Sequence, residues 1–166
     1  MKSSLGKFGV ILIIGLVIFC YGEVWGADWK FFQVTKSTEN VGGLPVYGNI
    51  HFYDATSVVY PSKNILQVPT VQVWTKTFHV GRDQTFPPES KERLYETLNS
   101  LKLPYSTNLL EINCKERRFK SLKVFVFVGG EGVEKEVPRD VFPSAYESNK
   151  IVPKGEVDTL SKMLCK

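Results

Sequence analysis

The polarity pattern divides the chain into a short opening block and a long remainder. Met1 to Lys7 carries Lys2 and Lys7 and no acid, and an uncharged run follows from Phe8 to Cys20 (FGVILIIGLVIFC). A basic start before a short apolar core is the pattern of a secretory signal. The run has 13 residues, short of the roughly 20 that a membrane-crossing helix needs. Residues 1–26 are therefore expected to be a signal peptide, and 27–166 a single mature domain. Small residues at −3 and −1 favour a cut after Gly26 or after Gly22, and a lipid-modified Cys20 and an uncleaved anchor are the alternatives.

The remainder begins with two-residue alternation. Asp28 to Val34 (DWKFFQV) is an aromatic and β-branched run that reads as a strand, and Gly42-Gly43 and Pro45 interrupt the chain after it. Val46–Tyr53 (VYGNIHFY) reads as a second strand. Asp54 and Ala55 turn it, Ser57–Tyr60 gives a short third segment, and Pro61-Ser62-Lys63-Asn64 is a turn. Ile65 to Val80 is the longest stretch with this period. Val71, Val73, Thr75 and Thr77 face one way and Gln72, Trp74, Lys76 and Phe78 the other, with Pro69 marking a bend or an edge.

The period then lengthens. Leu94, Leu98 and Leu101 recur at i, i+4 and i+7, with Glu89 and Glu92 at the start and Pro104 past the end, which predicts a helix of about three turns. Strand character returns at Asn108–Asn113, where Leu110, Ile112 and Cys114 share a face. It returns again at Phe119–Val128, where Leu122, Val124, Val126 and Val128 oppose Phe125 and Phe127. An end that is apolar on both faces suits a central strand, or one whose outer face meets a partner. Gly129-Gly130-Glu131-Gly132 is a turn, and Val133–Tyr146, with Pro138 and Pro143, carries no clear period. After Pro153, Val157, Leu160 and Leu164 form a helical stripe. The expected fold class is α+β: an antiparallel β-sheet with a C-terminal helix packed on one face, plus one inserted helix.

Composition narrows the picture. Hydrophobic residues make up 43% and aromatics 13% of the chain, enough for a core, which argues against disorder. Removing the leader takes away Lys2, Lys7 and Glu23 and leaves a net charge of about +3. That small excess argues against a nucleic-acid partner. Removal also leaves two cysteines, Cys114 and Cys165. An even pair in an oxidising compartment predicts a disulfide, the alternative being two unpaired buried thiols. The bridge would pin the last helix to the sheet.

Candidate chemistry is sparse. His51 and His79 each fall in a predicted strand, with no Cys, Asp or Glu at ligand spacing, so no metal site is expected. Gly129, Gly130 and Gly132 precede no helix and make no phosphate loop, and no nucleophile elbow is present. The chain is therefore expected to be non-catalytic and to use no cofactor. Two surfaces remain. Trp74, Phe125 and Phe127 are a candidate binding face, and Lys115, Arg117, Arg118 and Lys120, followed by Lys123, are a candidate basic patch or a solvated hairpin tip.

Several pieces in order along the mature chain resemble the surface-adhesin protein E-like family of Gram-negative bacteria. They are Asp28-Trp29, Tyr53-Asp54 with Ser57-Val58, Val71-Gln72-Val73-Trp74-Thr75-Lys76, Glu111-Ile112-Asn113-Cys114-Lys115-Glu116-Arg117-Arg118, and a last cysteine, Cys165. The resemblance implies an antiparallel sheet tied to a terminal helix by a disulfide, a possible homodimer, and export to the periplasm or outer-membrane surface. The stretch from Ser90 to Leu101 looks like an insertion relative to that pattern. The expected function is an exported binding or envelope-assembly protein that meets an unidentified protein partner through a sheet face and touches the membrane only through its signal peptide. The rivals are a periplasmic haem or metal carrier using the histidines, and an exported enzyme whose site would show a histidine bonded to a carboxylate in a pocket.

Overall fold

The computed structural model describes residues 26–36, 40–41, 44–45, 48–61, 69–81, 91–130 and 132–165. Residues 1–25 of the expected leader, with Cys20 and Gly22, most of the Pro61–Asn64 turn, and Glu89 lie outside them. Five long strands carry the sheet: β1 (Trp29–Lys36), β4 (Gly48–Asp54), β5 (Thr70–Val80), β6 (Tyr105–Asn113) and β7 (Arg118–Phe127). Short strands β8 (Lys135–Glu136) and β9 (Asn149–Lys150) both pair with β7, and β2 (Asn40–Val41) with β3 (Leu44–Pro45) forms a separate ladder. The seven-stranded sheet runs β1-β4-β5-β6-β7-β8 with every ladder antiparallel, and it curls into a half-barrel. Among the described residues three helices accompany it: α1 (Lys91–Ser100), α2 (Pro143–Tyr146) and α3 (Glu156–Leu164).

Alternation along β5 builds two cores on opposite faces. Val71 and Val73 join Leu110, Ile112 and Ile151 beneath Val157, Leu160 and Leu164 of α3. Phe78 and Val80 join Ile50, Phe52 and Leu103 beneath Leu98 of α1. Leu160 and Leu98 are each 0% exposed, and burying one such side chain stabilises the fold by roughly 1.5–3 kcal/mol. The sheet thus has a helix on each side, α3 over one end and α1 over the other.

The disulfide joins Cys114, just past β6, to Cys165, which caps α3. A second tie lies at the other end of α3. Asp158, 2% exposed, receives Arg117 of the β6–β7 turn, Lys162 and the Lys154 backbone N–H. Lys162, Lys154 and Arg117 together hold its carboxyl far below the usual carboxylate range. Arg117 keeps a left-handed backbone (φ 51°) in that turn.

Some expectations shift. Leu101 is 53% exposed, because α1 ends at Ser100 and Lys102 takes a left-handed turn (φ 49°) after it. The expected turn after the second strand is a 3-10 turn at Ala55–Ser57, and the short third segment, Ser57–Tyr60, forms no strand, with only Val59 bridged to Gln72. Asp54 forces that turn: its Oδ1 accepts from the backbone N–H groups of Asp28 and Thr56 and from the Thr56 hydroxyl. Leu122 is out of phase with Val124 and Val126. A bulge sets Lys123 opposite Leu109 but Ser121 opposite Leu110, so Ser121 joins the α3 side of the sheet. Val128 lies past the strand, 55% exposed.

Candidate functional site

On the α3 side the inward row of β5 changes from valine to threonine. Val71 and Val73 are covered by α3, whereas Thr75 and Thr77 lie beyond its main contacts and face a cleft of about 320 Å³. Strands β6 and β7 bring Asn108, Leu110, Phe119 and Ser121 to the same cavity, β1 brings Phe32, and the opposite wall is Phe142, Ser144, Ala145, Asn149, Glu156 and Val157. The lining mixes aromatic rings with hydroxyls and amides, the chemistry of a small-molecule pocket. A shallower cavity of about 240 Å³, reaching Val152, shares Phe119, Glu156 and Val157 with it, so the two form one groove.

His51 sits at the inner end, 2% exposed. Its Nε2 is 2.8 Å from the Thr35 hydroxyl and its Nδ1 3.0 Å from the Thr77 hydroxyl. The Glu156 carboxylate stands 3.7 Å from Nε2, past hydrogen-bond range. Burial, with a smaller effect of the nearby His79, pushes the His51 pKa down to about 4. The ring is therefore neutral at pH 7 with both nitrogens engaged by threonines. His79 is not on the cleft wall, and its Nδ1 lies 3.0 Å from the Asn49 side-chain oxygen. Among the described residues no three His, Cys, Asp or Glu side chains come together as metal ligands would, and no helix is long and apolar enough to cross a membrane.

The opposite face holds a buried cation. Lys76 is 7% exposed, and its ammonium lies 3.8 Å from the ring centre of Tyr105 and within 5.9 Å of those of Phe78, Tyr95 and Trp29. It donates to the Tyr95 hydroxyl (3.3 Å) and the Asn99 side-chain oxygen (3.4 Å) of α1. Burial lowers its pKa, partly offset by Glu134, and burial raises that of Tyr95 to about 12. The lysine links α1 to the sheet through cation–π contacts.

The residues singled out from the sequence divide between these regions. Trp74, Phe125 and Phe127 share the α1 side of the sheet; Trp74 contacts Phe125 (ring centres 6.0 Å) and Phe127 stacks on Tyr105 (4.8 Å), all three half-buried. Three of the four basic residues have internal partners. Arg117 pairs with Asp158, Lys120 with Glu111, and Arg118 donates to the Ser148 hydroxyl and carbonyl, while Lys115 is exposed. Lys115, Arg117 and Lys162 border a cavity beside the disulfide. The cleft itself was not singled out. Thr75 and Thr77, on an inward row that began with valines, were its one signal in the sequence. No family model, curated protein or solved structure matches the chain.

Proposed function

We propose that the chain is an exported, non-catalytic binding domain of the bacterial envelope, and that its ligand sits in the cleft between the sheet and the α2–α3 segment. The observation that carries this reading is the cleft itself: an open cavity of about 320 Å³ walled by Phe32, Phe119 and Phe142 and floored by hydroxyl and amide side chains. A non-catalytic role is supported by His51, the one imidazole on its wall, which has threonines on both nitrogens and a basicity too low for proton transfer near neutral pH. Export is supported by the Cys114–Cys165 bridge together with the basic-then-apolar leader. The aromatic set Trp74, Phe125 and Phe127 is the weaker candidate, because its rings are half-buried against one another and against Tyr105.

The test uses N-phenyl-1-naphthylamine, an uncharged dye that brightens in apolar pockets. The oxidised protein is expected to enhance its fluorescence saturably. Ser144→Trp places a large ring at the mouth from an exposed position of α2, and it is expected to weaken binding about tenfold or more with the fold intact. Absence of enhancement, or enhancement indifferent to the tryptophan, refutes the cleft as the site.

A further inference from the structure

A hydroxyl or amide that faces a cavity and has no partner within the fold is open to a ligand. Ser121 on the cleft wall is 6% exposed, and its hydroxyl makes no hydrogen bond to another described residue. The Asn108 side-chain amide, on the same wall and half-buried, makes none either. The neighbouring hydroxyls are engaged: Thr75 donates to the Asn108 carbonyl and Thr77 bonds His51. Two unengaged groups therefore face the cavity, and each can both donate and accept. Outward from them aromatic rings line part of the groove, from Phe119 to Phe142, which is 58% exposed. Charge is lopsided. Among the described residues no lysine or arginine lines the cleft, and its one acid is Glu156.

Resting on the cleft as the binding site, we infer that it takes an uncharged molecule with an amide or alcohol end and an apolar body, and discriminates against the anionic counterpart of the same shape. The polar end meets Ser121 and Asn108, and the body lies along Phe119 toward the mouth. A carboxylate in that position finds no countercharge and adds repulsion from Glu156 in a partly water-excluded site. An amide both donates and accepts, so it can meet the two wall groups at once.

The matched probes are 1-naphthaleneacetamide and 1-naphthaleneacetate, titrated at pH 7 into the oxidised protein and followed by calorimetry and by amide chemical shifts. The amide is expected to bind about tenfold tighter than the acetate, with shifts at Ser121 and Asn108. Ser121→Ala is expected to weaken the amide about fivefold, and Glu156→Gln to narrow the gap between the two. Equal affinities, both abolished by Ser144→Trp, overturn this selectivity while the cleft remains the site. Shifts that avoid the cleft overturn both.

Discussion

Acidification is the perturbation that interrogates the cleft most directly, because His51 resists protonation. Unfolded, this imidazole takes a proton with its ordinary pKa of 6.5; folded, it does so at about 4. At roughly 1.4 kcal/mol for each tenfold change in proton affinity, the difference amounts to ~3 kcal/mol. The unfolded chain binds the extra proton throughout the window, so the contribution is complete above pH 6.5 and is lost as pH falls to about 4. The Glu156 carboxylate at 3.7 Å would attract an imidazolium, but it is half-exposed and screened, so desolvation of the ring wins. Carboxylates do not obscure the window. Asp158 is held far below its ordinary value by Lys162, the Lys154 N–H and Arg117, and Glu111 is lowered by its bond from Lys120, so their losses fall at its acid end or below. Urea unfolding at pH 7, 6, 5 and 4 is expected to show the loss, against a total stability of about 5–15 kcal/mol for a typical domain. His51→Gln should flatten that dependence, and the ring protons of the wild type should titrate with a midpoint near 4. A midpoint near 6.5, or stability unchanged down to pH 4.5, would refute the burial argument.

Reducing the Cys114–Cys165 bridge, which spans 51 positions, is expected to cost about 4 kcal/mol in urea by freeing the unfolded chain, with circular dichroism unchanged because Val157, Leu160 and Leu164 keep α3 docked. A loss below about 1 kcal/mol, or melting of the helix on reduction, would contradict this. Lys76→Met keeps the stem and removes a buried charge whose pKa burial has lowered; it should stabilise the protein by ~1 kcal/mol at pH 7. That gap should close as pH rises toward 10.5, where the unfolded lysine also loses its proton; denaturation midpoints lower than wild type at pH 7 would show that the cation–π contacts outweigh desolvation.

What the sequence made legible was local. The stripe Val157, Leu160, Leu164 did bury, the bridge formed between Cys114 and Cys165, and Lys91–Ser100 is helical. A one-dimensional pattern shows which residues share a face but not what comes to cover it. Lys76 read as one of four residues on a face, and only the arrival of Trp29, Tyr95 and Tyr105 from three other elements buries it. The basic run lost most of its prominence for the same reason, since Asp158, Glu111 and Ser148 answer it from elsewhere in the chain. The cleft draws on β1, β4, β5, β6, β7, α2 and α3, so no single stretch announces it.

The bulge opposite Leu109 and Leu110 acts as a frameshift in three dimensions. Strand β7 can be threaded in two phases. The observed one turns Phe119 and Ser121 toward α3 and sends Lys120 to the far side, where it meets Glu111. The ladder without its extra residue would bring Leu122 inward instead, filling the space with an isobutyl group, and would turn Lys120 in beside it and Phe119 out to water. Burying the Lys120 ammonium and exposing the Phe119 ring are both costly, so the regular ladder is the frustrated one. A single irregular step in the hydrogen-bond ladder thus decides whether this protein has a cavity with a hydroxyl on its wall or a solid plug.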